Sequence, residues 1–159
     1  MELPFDTIKF DRSLVTIIGD GKMKQFQVVY QDQDSFSGAV AEWKAWQAAN
    51  TSGQALIHIF SDGADEADVR TVRDIVERLM PDAVYIGASA SGNIYEGNIT
   101  TQKLVVTCTV FERADSFVRT RLISVENRDA STLRAALREM KDSFLGVKAV
   151  EVIMTIDTI

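Results

Sequence analysis

The sequence predicts an α/β fold: a mixed sheet with a βαβαβ parallel part, an antiparallel hairpin, and a third helix followed by a last strand. Three observations predict it. Compact apolar runs alternate with segments of helical spacing between residues 26 and 88, the order that favours a parallel sheet. Two runs of alternating residues then lie side by side, at 104–111 and 117–125, which reads as a hairpin. A last helical segment precedes a final apolar run.

Leu14 to Ile18 and Phe26 to Tyr30 read as strands divided by the Gly19-Asp20-Gly21 turn signal. A domain boundary is placed near Lys22, with residues 1–22 as an N-terminal extension to a domain of residues 23–159. Phe36, Ala39, Val40, Trp43, Trp46 and Ala49 recur at helical spacing, and Asp34 or Ser35 is available as the cap. The two tryptophans read as the buried face of that helix. Gln54 to Phe60 is the next strand. A second helix starts near Asp65, where acids at 65, 66 and 68 suit the positive end of the helix dipole, and Pro81 stops it. Ala83 to Ala88 is the third strand. The last helix is drawn by Leu133, Ala136, Leu137, Met140 and Phe144 and ended by Gly146, and Val147 to Ile156 is the last strand.

The chain has 159 residues, 46% of them hydrophobic and 25% charged, as expected of one soluble domain. Its net charge of -6 gives no general attraction for nucleic acid or an anionic membrane surface. No sustained apolar segment reads as a signal peptide or a membrane span. The single cysteine, Cys108, sits in an apolar strand and reads as a buried thiol in a reducing compartment. A cytoplasmic location is expected.

The segment from Ala83 to Gly97 carries the chemistry, because an apolar strand stops abruptly in small residues, Gly87-Ala88-Ser89-Ala90-Ser91-Gly92-Asn93. Glycines admit close approach to the main chain, and Ser89, Ser91 and Asn93 supply short polar groups. A phosphate loop would run into a helix and use a Lys-Ser/Thr pair, and neither follows here. A nucleophile elbow needs Gly-x-Ser-x-Gly, and the fifth position from Gly87 is Ser91. Ser61-Asp62-Gly63 closes the preceding strand at the carboxyl end, where open α/β sheets bind ligands; the plainer reading is a turn with a capping residue. The candidate ligand-binding residues are therefore Gly87, Ser89, Ser91, Gly92, Asn93, Ser61 and Asp62. No catalytic residue, metal ligand or cofactor is assigned. His58, the only histidine, is the alternative as a haem ligand, and a purely structural or dimerisation module is the other.

Leu56-Ile57-His58-Ile59-Phe60-Ser61-Asp62-Gly63, and Pro81-Asp82 through Ile94, resemble the N-terminal half of a FIST domain over roughly residues 23–156. The family pattern is an apolar strand ending near Ser-Asp-Gly, a helix, then Pro-Asp and a strand into Gly-Cys-Ser-Thr/Ala-Ala/Ser-Gly-Glu-Ile. Ala88 stands where the family often has Cys, and Asn93 where it often has Glu. The resemblance implies a cytoplasmic sensory domain of a bacterial signalling protein. It would bind a small molecule, an amino acid or similar metabolite, and regulate an output domain in cis or a downstream signalling protein rather than act as an enzyme. Family outputs include diguanylate cyclases and phosphodiesterases, and Leu3 to Ser13 is similar to a Lys-Ile-Asp-Arg-Ser piece of cyclic di-GMP phosphodiesterases. Family members continue well past the last helix and strand, so a sensor shortened at its C-terminus is expected. The open sheet edge of such a piece admits a homodimer.

Overall fold

The computed structural model describes residues 7–10, 13–16, 23–101, 104–120 and 130–143. In chain order the elements are β1 (Thr7–Phe10), β2 (Ser13–Thr16), β3 (Met23–Val29), α1 (Gln33–Asn50), β4 (Ala55–Ser61), α2 (Glu66–Leu79) and β5 (Val84–Ser89). β6 (Asn93–Tyr95), β7 (Asn98–Thr100), β8 (Leu104–Phe111) and α3 (Ala130–Ser143) follow. One sheet has the order β1-β2-β3-β8-β4-β5, and β6 and β7 make a separate two-stranded sheet.

The expected mixed α/β architecture is present, with a detail of order that the chain sequence conceals. β4 and β5 are adjacent and parallel, while β8 lies between β3 and β4 and runs antiparallel to both. β3 and β4 therefore point the same way, as a βαβ unit requires, without touching as neighbours. Antiparallel hairpins form at β1–β2 and β6–β7, not at the expected 104–125. Both edges of β8, where the run at 117–125 was expected to pair, are taken by β3 and β4; residues 117–120 carry no strand, and 121–125 lie outside the described residues. β1 and β2, drawn from the stretch read as an extension, pair in succession onto β3. Phe144, Gly146 and the last expected strand, 147–156, also lie outside the described residues.

Local chemistry accounts for the helices. α1 is capped by Asp32, not by Asp34 or Ser35: one carboxylate oxygen accepts from the Ser35 amide at 2.8 Å and the other from the Ser35 hydroxyl at 2.9 Å. Asp32 wins because its extended backbone (φ -154°, ψ 166°) lets the side chain reach back over the first turn. Asp65 caps α2, accepting from the Ala67 amide at 3.3 Å. That helix ends at Leu79, ahead of Pro81.

The sheet has two unlike faces. Lys24, Phe26 and Val28 of β3 stand opposite Val110, Cys108 and Val106 of β8, which in turn face Ala55, Ile57 and Ile59 of β4. This face packs against Phe36, Val40 and Trp43 of α1 and Val72, Ile75 and Val76 of α2 to form the core. Lys24 is buried there by its stem, with Nζ 4.5 Å from the Trp46 ring centre and 5.3 Å from that of Phe26. The cation rests on two π faces that tolerate it. The opposite face carries Gln25, Thr109 and Leu56, then Gln27, Thr107 and His58, then Val29, Val105 and Phe60, each trio in cross-strand register. β8 is buried on both faces from Leu104 to Val110. Its near-continuous apolar run is what a central strand needs.

Candidate functional site

The crossover through α2 brings the carboxyl ends of β4 and β5 to one edge in register, so that Ser61 stands opposite Ser89. The Ala90 amide donates to the Ser61 carbonyl at 2.7 Å, carrying the pairing one residue beyond the strands. The Ser61 hydroxyl accepts from the Ala64 amide at 3.3 Å, which closes the turn through Asp62. Ser61-Asp62-Gly63 thus behaves as the turn before a capped helix, and Asp65 is the cap. Ser61 and Asp62 are half-buried, and Ser89 and Ser91 are exposed.

Gly87 lies inside β5 opposite Ile59. A Cβ built at this position would sit 2.4 Å from the Ile59 carbonyl oxygen. Its bare backbone is therefore demanded by strand-to-strand packing, whatever else it serves. Gly87→Ala should destabilise the protein by about 1–3 kcal/mol, the usual cost of forcing an atom into a packed site. A urea midpoint equal to that of the wild type would contradict this. Gly92 has φ +148°, a backbone conformation that side-chain-bearing residues avoid. Beyond it Asn93 is buried, at 6% exposure, and opens β6. The structure thus brings Ser61, Ser89 and Ala90 together at the strand ends, while Ser91, Gly92 and Asn93 lead away into the hairpin.

Tyr30 joins this edge without having been read as a site residue. Its amide donates to the Leu104 carbonyl at 2.9 Å, next to the Ser61–Leu104 pair, and its ring meets Phe36 edge-on with centres 5.8 Å apart. Burial, and then the carboxylates of Asp68 and Asp32, hold the phenol above its usual range. Asp32, the cap of α1, and Asp68, in the first turn of α2, therefore share one acidic edge with this phenol. The signal in the sequence was a tyrosine ending a strand two residues before the helix cap.

His58 sits in the middle of β4 on the sheet's second face, opposite Thr107 and Ile86, with its ring stacked over Phe60 at 5.9 Å. Among the described residues no group of three or more His, Cys, Asp or Glu is placed to hold a metal. No described helix is long and apolar enough to cross a membrane.

Comparison with known families assigns the part of the chain that holds this edge. The FIST N domain model matches residues 55–158, from the first residue of β4 onward. The chain belongs to the FIST N domain family. FIST domains are a sensory family, so the expectation of a sensory module in signal transduction holds at that level. The match begins at β4, although β3 and α1 of this FIST chain pack into the same core as β4 and α2. No curated protein matches the sequence. Among solved structures, the chain is similar to a protein from Salmonella typhimurium described as a candidate translation initiation inhibitor. The identity is 15%, over 69% of this chain and 99% of that one, with a TM-score of 0.45. That likeness is too slight to bear on fold or function.

Proposed function

We propose that this FIST domain binds a small polar molecule at the carboxyl edge of β4 and β5 and passes the binding event to an output domain in cis or to a downstream signalling protein. The observation that carries the reading is the pairing of Ser61 with Ser89 at the ends of the two adjacent parallel strands. Open α/β sheets take their ligands at this kind of edge. Two hydroxyls, the Asp62 carboxylate and backbone groups past Ser89 offer hydrogen bonds there, and the acidic surroundings of Tyr30 favour a ligand that donates. An amino acid, through its ammonium group, has that chemistry. No reaction is assigned to the edge, and the protein is read as a non-catalytic cytoplasmic receiver of a bacterial signal. A diguanylate cyclase or phosphodiesterase is the output the sequence resemblance suggests.

A thermal-shift screen of the twenty amino acids and related metabolites tests this. A ligand at a hundred times its Kd stabilises the folded state by about 2.7 kcal/mol, which for a chain of this size raises Tm by roughly 5–10 °C. Ser61→Ala and Ser89→Ala should weaken that rise; Ser89→Ala should leave the unliganded Tm nearly unchanged, and Ser61→Ala should lower it by a few degrees at most, through loss of the Ala64 bond. A screen in which no compound moves Tm, or a rise indifferent to both substitutions, would remove the assignment of this edge.

A further inference from the structure

The segment that leaves the strand ends through Ser91 and Gly92 runs directly into the β6–β7 hairpin, and one side chain ties that hairpin to the sheet. Gln27, half-buried in the middle of β3, donates from Nε2 to the Thr107 hydroxyl at 3.2 Å and to the Ile94 carbonyl at 3.1 Å. Its Oε1 accepts from the Glu96 amide at 3.4 Å. The amide orientation is dictated by its partners, since a carbonyl can only accept and a backbone N–H can only donate. Thr107 and β3 belong to the buried centre of the sheet, so one end of the clasp is rigid.

The other end is not self-sufficient. Each strand of the hairpin has three residues, and a lone two-stranded hairpin is marginal in water. The cross-strand pair Ile94 and Ile99 is 66% and 88% exposed, so it adds little apolar burial. The turn between the strands places Glu96 at φ +51° and Gly97 at φ +77°, the handedness of a tight hairpin turn. The hairpin is thus a formed unit, held to the body by the Gln27 bonds and the buried Asn93.

We propose that β6–β7 is a lid over the second face of the sheet that opens as a unit, hinged at Gly92 and clasped by Gln27. Opening breaks the two Gln27 bonds to the hairpin and draws Asn93 out of its buried seat, and leaves every strand pair of the main sheet intact. Its use in sensing rests on the proposed binding edge at Ser61 and Ser89: a molecule held at Ser89 sits three residues before the hinge.

Native-state hydrogen exchange on the full chain tests the lid. In the wild type at low urea, amides of residues 93–99 should exchange through an opening distinct from, and more frequent than, that of the β8 amides. Gln27→Met keeps the side chain's length and removes its hydrogen bonds. It should speed exchange across the hairpin roughly ten- to a hundredfold, while β8, which loses only the bond to Thr107, is accelerated far less. Hairpin amides that exchange at the wild-type rate in the variant, or hairpin and β8 accelerated by the same factor, would overturn the proposal. So would a single shared opening for hairpin and β8 in the wild type, a readout that stands even if the variant does not fold. A silent ligand screen leaves the exchange result standing, and an unchanged exchange pattern leaves the screen standing, so the two readings fail separately.

Discussion

Trp43→Ala should cost about 3–5 kcal/mol of stability and lower Tm by roughly 10 °C or more. Trp43 is 1% exposed and is the largest fully buried side chain described. Its ring meets Phe26 and Phe36 with both centres at 6.1 Å, one stacked and one edge-on, so it joins β3 to α1 at the centre of the core. Truncation removes that area from the core and leaves a cavity whose walls are a helix and a sheet that cannot close over it. A companion variant separates size from polarity. The indole Nε1–H is buried with no hydrogen-bond partner among the described residues, so Trp43→Phe loses volume but also relieves an unsatisfied donor. Trp43→Phe should cost less than half as much as Trp43→Ala. Urea denaturation of the three proteins decides it; an alanine variant within about 1 kcal/mol of wild type would show that Trp43 does not hold α1 to the sheet.

The second large effect is with pH. Cys108 is fully buried between Phe26 of β3 and Ile57 of β4, and burial alone pushes its thiol from 9.0 up to about 12. The folded state therefore keeps the proton that the unfolded chain gives up. Stability from this group is complete below pH 9 and is lost as pH rises toward 12, by on the order of 4 kcal/mol across that window. Other groups titrate in the same range. Burial also raises Tyr30 and Tyr95, with the same sign. Lys24 runs the opposite way: desolvation lowers it, against a smaller pull from Glu112, so it adds stability as pH climbs toward 10.5. Cys108→Ala isolates the thiol. It should be less stable than wild type at pH 8, because of the cavity, and should lose clearly less between pH 8 and pH 10.5. Parallel stability curves for the two proteins across that range would refute the assignment. Thiol reagents should likewise label Cys108 only on unfolding.

Several elements were legible because they are written in adjacent residues. α2 announces itself through acids at its start and Pro81 at its end, and Asp65 is the observed cap. β4 and β5 fall within a residue or two of the apolar runs at 54–60 and 83–88. At the site, the Ser61 turn and the strand ending in small residues were visible for the same reason. The partnership of residues 104–111 was misjudged because the short polar link after Phe111 looks like a hairpin turn, and local pattern carries no information about which edges are already occupied. The β6–β7 hairpin went unseen because its strands have three residues each, too short for alternation to register, and its turn is Glu96-Gly97 rather than a stronger turn pair such as Asn-Gly.

The sequence by itself determined the periods, the caps, the stops and the small-residue end of β5, since backbone dihedral preference and side-chain alternation act between near neighbours. It also determined the family, through the stretch from β4 onward. Only the tertiary structure decided that β8 separates β3 from β4, that Gly87 is bare because Ile59 presses on it, that Tyr30 comes to the strand-end edge beside Leu104, and that Gln27 holds the β6–β7 hairpin. Gln27 and Ile94 are 67 residues apart in the chain. Contacts at that separation form when distant segments bury their faces together, and short-range spacing holds no trace of which segments will meet.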